Sequence, residues 1–395
     1  MTVQDRLAAN GDALTAWLDE SALPLWRAVG LVPGAGFVEA IGQDATPTRD
    51  PVRSRVNPRQ VFCFASAGLR GWQGDWQTAV TAGLAHFDAV YRRSDGFYAD
   101  LASLEGEVLK ADFDLYNQAF ALLAFAASSE AMPERRAEFE ECARTILHRL
   151  RAEYAHPVAG FEEARPPVQP LRSNPHMHLF EAAQAWAGVT GADPQPWLEL
   201  ARELRALCLD RFIDGETGAL REFFAHDWAP HPGDLGRVVE PGHLFEWAWL
   251  LARFEQRHPS DGKEATNAAR KLFDLGEIHG IDQKRGVAVM TLDDSMNLVD
   301  PTARLWVQTE WLKAAVLLAR LSTDYERGRY LASAARACEA LRSFIATPVP
   351  GLWWDKQDAQ GGFREEPAPA SSLYHIVCAI HELRDQLDAL KEDEA

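Results

Sequence analysis

Cysteine is scarce and scattered in this chain. Among 395 residues there are five, Cys63, Cys142, Cys208, Cys338 and Cys378, with no Cys-x-x-Cys pair. That spacing excludes zinc ribbons and dithiol motifs, and it reads as reduced thiols of a cytoplasmic protein. Basic charge is also in deficit: 40 Lys and Arg stand against 58 Asp and Glu, a net charge of −18. An acidic surface repels phosphate backbones and anionic headgroups, so neither nucleic acid nor a membrane surface is an expected partner. No apolar run reaches the roughly 18 residues that cross a bilayer; the nearest, LFEWAWLLARF, is too short. The N-terminal stretch MTVQDRLAANGDALTAW carries acids and no apolar h-region, unlike a signal peptide. Strand-like alternation is nearly missing, with GVAVMTL (Gly286–Leu292) the main exception.

What remains is helical. Apolar residues make up 47% of the chain, enough for a large core. They recur at three- and four-residue spacings in Asp75–Tyr91, Arg135–Tyr154, Trp197–Phe212 and Tyr325–Phe344, the pattern of amphipathic helices. Ala119–Ala127 and Leu312–Leu321 are apolar on most faces, which predicts buried helices. No linker divides the chain, so residues 1–395 are expected to form one domain.

A faint repeat runs through this pattern. Glycine opens an apolar and often acidic loop at Gly36, Gly96, Gly160, Gly218, Gly286 and Gly351, at spacings of 60, 64, 58, 68 and 65 residues. A buried-looking helix and then an amphipathic one follow each loop. A fixed period of this kind implies one supersecondary unit used repeatedly. Six helical hairpins in a row predict an all-α fold, an (α/α)6 barrel with buried helices inside and amphipathic helices outside, with an open solenoid as the alternative that the pattern alone allows. The starts of the buried helices keep the period: HLFE at His178 recurs at His243, Glu310 follows Glu246 by 64 residues, and His375 follows Glu310 by 65. Prolines precede most of them, and Asn57 and Asn174 are the expected N-caps.

In a closed ring those helix starts surround one mouth. The candidates there are Arg59, Tyr116, Asn174, His176, His178, Glu181, His243, Glu246, Glu310 and His375. Helix N-termini disfavour imidazolium, so the histidines are expected to stay neutral and able to act as bases. Histidines, carboxylates, an arginine and thirteen tryptophans suit a neutral polyhydroxyl ligand, with indole faces over sugar C–H surfaces. Trp186, Trp247, Trp249, Trp306, Trp311, Trp353 and Trp354 fall in or beside the inner helices and loops. His176 and His178 stand two apart, about 200° round a helix, and cannot share one ion. No His-Glu-x-x-His or Cys–His spacing is present, so no metal is expected.

The segments RSNPHMHLFEAAQAW, VVEPGHLFEWAWLL, RLWVQTEWLKAA and SSLYHI resemble, in order and spacing, the N-acylglucosamine 2-epimerase superfamily, over nearly the whole chain. The resemblance implies the same (α/α)6 barrel. It also implies proton transfer beside a sugar carbonyl through a cis-enediol or enediolate, without metal or other cofactor. In that reading His375 is the base at C2. His243 opens the ring and is the second acid–base, with Glu246 fixing its orientation. Glu310 lies near C1–C2, Arg59 binds the enediolate oxygens, and Tyr116, Asn174 and His178 bind sugar. Arg237 would reach a distal hydroxyl or an anionic group. The expected reaction is aldose–ketose isomerisation of a free hexose, D-mannose to D-fructose first. A sugar 2-epimerase is the alternative, and no phosphate-binding cluster is legible. A glycoside hydrolase using the Glu246–Glu310 carboxylate pair is a second alternative, and a non-catalytic carbohydrate binder a third. The protein is expected to be a monomer or homodimer.

Overall fold

The structure, a computed structural model, describes residues 2–394. Twelve long helices are found among the described residues. Six form an inner ring: Val56–Leu69, Leu115–Ala131, Ser173–Ala187, Pro241–Arg257, Leu305–Arg320 and Leu373–Glu394. Each packs on the next, and the last packs back on the first, which closes the ring. Burial follows composition. Every residue from Leu305 to Ala319 is buried, whereas the outer helix Arg136–Glu153 buries only Phe139, Ala143, Ile146, Leu147 and Leu150, a single stripe. Outer helices Trp76–Tyr91, Arg136–Glu153, Gln195–Leu207, Glu264–His279 and Asp324–Phe344 each follow and cover an inner helix.

The sixth hairpin is assembled from both ends of the chain. Val3–Trp17 takes the outer place beside Leu373–Glu394, packing on it and on Asp324–Phe344. Leu383 and Leu387 approach Gly11 closely, and Arg384 pairs with Asp12. This closure stands behind the six-unit repeat but is not visible in its spacing.

At one mouth of the ring the Gly36 and Gly286 loops become short antiparallel ribbons, and the Gly96, Gly160 and Gly218 loops close with single antiparallel bridges. All six repeat glycines have positive φ, between 70° and 94°, a region that side chains disfavour. A polar side chain on an inner helix pins four of these loops. Asn57 accepts the Phe37 N–H at 3.1 Å, Gln118 the Tyr98 N–H at 3.0 Å, His176 the Phe161 N–H at 3.1 Å and Gln308 the Ala288 N–H at 2.8 Å. Asn57 and Asn174 are therefore not N-caps. Their helices begin one residue earlier, at Val56 and Ser173, and neither has a side-chain cap. Asn57 spends its oxygen on the loop instead.

Gly160 shows how tight this joint is. A Cβ there would lie 2.8 Å from Leu207 and 2.9 Å from His176. Gly160→Ala should cost about 2–4 kcal/mol, from left-handed strain and overpacking, read as a lower urea midpoint; an unchanged midpoint refutes the joint's rigidity. The cysteines are free thiols, with Cys63, Cys208 and Cys338 buried. No helix among the described residues is long and apolar enough to cross a membrane.

Candidate active site

The inner helices begin at one mouth of the ring, and their first turns line a cavity of about 370 Å³. Arg59, Tyr116, Asn174, His178, His243, Glu246 and His375 all reach it, although they are spread over 317 positions of sequence. Trp306 stands between the two outermost histidines, its ring centroid 5.2 Å from that of His243 and 5.8 Å from that of His375. A larger hollow of about 600 Å³ at the opposite mouth is lined by the C-terminal halves of the inner helices. It has Trp249, Arg253 and Cys378 but none of these paired histidines and carboxylates except Glu181.

The histidines differ in charge. His375 Nδ1 is 2.8 Å from Glu310 Oε1. The carboxylate can only accept, so Nδ1 carries the proton and Nε2 is a free lone pair. Burial, then the positive charges of Arg59 and Lys313, hold His375 well below the ordinary imidazole range. His375 is a neutral base. His243 is the reverse. Burial would lower it too, but Glu222, with its carboxylate 3.0 Å from Nδ1, and Glu240, at 3.6 Å, outweigh burial and push it up to about 10. His243 is an imidazolium, a general acid. The expectation that every histidine here is neutral fails at this position. Two flanking carboxylates are worth more than the partial charge of a helix N-terminus.

Glu246 does not orient His243. Both its oxygens are buried without a hydrogen-bond partner, and the nearest imidazole is His178, at 4.0 Å. Burial and Glu310 push Glu246 well above the usual carboxylate range, so it faces the cavity as a neutral acid. His178 Nδ1 donates to Glu181 at 3.2 Å, and burial lowers His178 to about 4. Arg59 donates to Ser371 O at 2.9 Å and to the Tyr116 hydroxyl, and its guanidinium lies 4.0 Å from the Phe120 ring centroid. Its Nε is buried and unpartnered, as is Asn174 Oδ1. Both offer unused hydrogen bonds near the cavity.

Several expectations need correction. Arg237 lies outside the cavity, half exposed, held by Asp294 at 2.9 Å and Asp293 at 3.2 Å. Both partners sit in the ribbon Thr291–Asp293 and its turn, which pairs with Val238–Val239 and draws Arg237 outward. Glu310 is behind His375 rather than on the cavity wall. Of the tryptophans singled out by position, only Trp306 lines the cavity; Trp186, Trp247, Trp311 and Trp353 are core. His176 faces away and pins a loop, as noted.

The structure also adds residues. The loop acids recur as clamps on inner-helix starts, twice on the helix that follows and once on the one before. Glu39 holds Arg53, with Nε at 2.6 Å; Glu163 holds Arg172 at 2.5 Å; Asp355 holds Arg304 at 3.2 Å. Glu222 belongs to the same series, but its partners are Ser173 and His243. The acidic position in the glycine loops was the sequence signal for Glu222. Arg53, Arg55, Arg172 and Arg304 join Arg59 around the cavity, a cluster concealed by its spread from position 53 to position 304. Two groups, His178–Glu181–Glu246 and Glu246–Glu310–His375, bring three donor atoms within 4.8 Å. Their Nδ1 atoms are already spent on Glu181 and Glu310.

Comparison with known proteins gives a consistent picture. The family model described as N-acylglucosamine 2-epimerase matches residues 36–379. A protein from Rhizobium meliloti (strain 1021) named mannose-6-phosphate isomerase is 58% identical, covering 95% of this chain and 96% of its own. Among solved structures, a D-mannose isomerase superposes with a TM-score of 0.85 at 22% identity, over 95% of this chain and 97% of that one. The cellobiose 2-epimerase from Spirochaeta thermophila superposes at 0.86 with 21% identity, over 99% of both.

Proposed function

Since the chain belongs to the N-acylglucosamine 2-epimerase family, we propose that it is an aldose–ketose isomerase that interconverts D-mannose and D-fructose without a metal. One observation carries the reading: a neutral imidazole, His375, and an imidazolium, His243, face one cavity on either side of Trp306. Two like residues whose surroundings push their protonation apart make an acid and a base. His243 protonates the ring oxygen as the sugar opens and takes back the proton that leaves the O1 hydroxyl. His375 Nε2 removes the C2 proton while Arg59 stabilises the negative charge growing on the enediolate oxygens. His375 then returns the proton to C1 while the O2 hydroxyl proton passes to O1, which leaves the carbonyl at C2. Glu246, as a neutral acid, and Asn174 and His178 hold hydroxyls.

A 2-epimerase takes the C2 proton on one face and returns a proton from the other, so a neutral His375 and a protonated His243 serve that reaction as well, and the product formed decides between the two. A glycosidase needs two free carboxylates at about 5–5.5 Å or 6.5–9.5 Å. Here atoms of Glu246 and Glu310 lie within 4.8 Å, and Glu310 is engaged by His375 and Lys313.

A second reading has a specific observation behind it. Five guanidiniums ring the cavity, and the 58%-identical relative is named for mannose 6-phosphate, so a phosphorylated hexose is the competing substrate. Against it, Arg53, Arg172 and Arg304 are already paired with Glu39, Glu163 and Asp355, and Arg55 stands 3.9 Å from Asp114. A ring so neutralised suits an uncharged sugar. The test is NMR in D2O with EDTA, using mannose and mannose 6-phosphate in parallel. Fructose deuterated at C1 is expected from free mannose. Glucose deuterated at C2 would show an epimerase, turnover of the phosphate alone would move the assignment to the second reading, and no exchange with either sugar would refute an isomerase.

A further inference from the structure

Lys313 is a charge that the chemistry above leaves unused. It lies on the inner helix Leu305–Arg320, three residues after Glu310, with a relative exposure of 0%. Burying an ammonium is expensive unless it is paired, and an apolar side chain of similar size would be easier to bury. Its Nζ is 2.5 Å from Glu310 Oε2 and 4.0 Å from the Trp249 ring centroid. The other oxygen of Glu310 holds His375 Nδ1 at 2.8 Å. One carboxylate thus joins the ammonium to the imidazole. Glu181 and Glu246 face this chain from the third and fourth inner helices, Arg59 from the first, and Tyr374 and Cys378 from the last, with His178 beyond Glu181.

We propose that Lys313 is a positioning residue for the base: its ammonium keeps Glu310 ionised, so that Glu310 accepts the His375 Nδ1–H and leaves Nε2 unprotonated toward the sugar. The inference rests on the isomerase reading. Its physical basis is charge balance in a dry layer. Glu181, Glu246 and Glu310 are all buried, and Lys313 is the one ammonium within contact of Glu310 among the described residues. Burial raises Glu310, and Lys313 is the largest influence opposing that rise. Without Lys313 the layer is one positive charge short, and it recovers that charge by binding a proton. The His375–Glu310 pair is the group placed to take it, and a base that already carries its proton cannot remove another.

The test compares the pH dependence of kcat/KM for Lys313→Met and Lys313→Arg with the wild type. In Lys313→Met the acid limb should move up by a unit or more, an approximately tenfold or greater loss on the acid side of the wild-type limb that disappears above the shifted one. Lys313→Arg should keep the wild-type limb even if kcat falls. A Lys313→Met enzyme with the wild-type limb, or with a loss uniform in pH, overturns the proposal, because a merely structural residue would give that result. If the Met variant does not fold, a shifted limb in Lys313→Arg overturns the proposal and a fixed one supports it. Nitrogen-15 NMR of the wild-type histidines at pH 7 needs no variant and no substrate. His375 should be the Nδ1–H tautomer, and an imidazolium or an Nε2–H tautomer refutes the role. A wild-type enzyme inactive on every hexose would sink the isomerase reading, while the tautomer would still decide the role of Lys313.

Discussion

His375→Ala should stop exchange of the C2 proton of mannose and lower kcat/KM by about two to four orders of magnitude, the usual worth of a positioned general base. The loss should fall on kcat more than on KM, because His375 acts on a C–H bond whose breaking defines the transition state. Its ring is nearly buried against Tyr374, with centroids 4.8 Å apart, and beside Trp306, so truncation leaves a cavity as well. Circular dichroism and a melting curve separate that effect from the chemistry. Glu310→Gln should give a smaller loss, since an amide can still occupy the position but no longer favours the Nδ1–H tautomer. Wild-type exchange in His375→Ala would show that another group removes the proton.

The second large effect is at His243, and pH reveals it. His243 is raised above its ordinary value to about 10, so its acid form is present below that value and is lost as pH rises through it. His375 is lowered, so its base form is present above a value well under 6.5 and is lost only as pH falls through it. The rate should therefore be flat across neutral pH, with a basic limb near 10. His243→Gln should cost at least two orders of magnitude with mannose and remove that limb. Glu222→Gln should move the limb to lower pH, because burial then meets less opposition. A basic limb near 6.5 to 7 in the wild type, unmoved in Glu222→Gln, would refute the imidazolium.

Much of the site was legible in the sequence, because period and position are local properties. His178, His243 and His375 sit at equivalent points of successive units, and a parallel ring of helices brings such points to one mouth. His176 was separable from His178 for the same reason: side chains two residues apart on a helix point to different sides. The pairing partners were not legible. Glu222 reaches His243 from the preceding loop, and Lys313 meets Glu310 on a face that looks like ordinary buried helix. Arg237 stands six residues before His243 in sequence, yet a three-stranded ribbon turns it out to Asp293 and Asp294.

The sequence by itself determined the all-α class, the six repeat glycines and the set of polar residues at the inner-helix starts. All of these follow from spacing along one chain and the steric limits of φ. Only the tertiary structure decided that the first helix closes the sixth hairpin, that Arg237 lies outside the cavity, and that His243 is charged while His375 is neutral. A protonation state depends on burial and on which carboxylates lie within about 4 Å, and those carboxylates come from loops and helices that only the closed ring brings together.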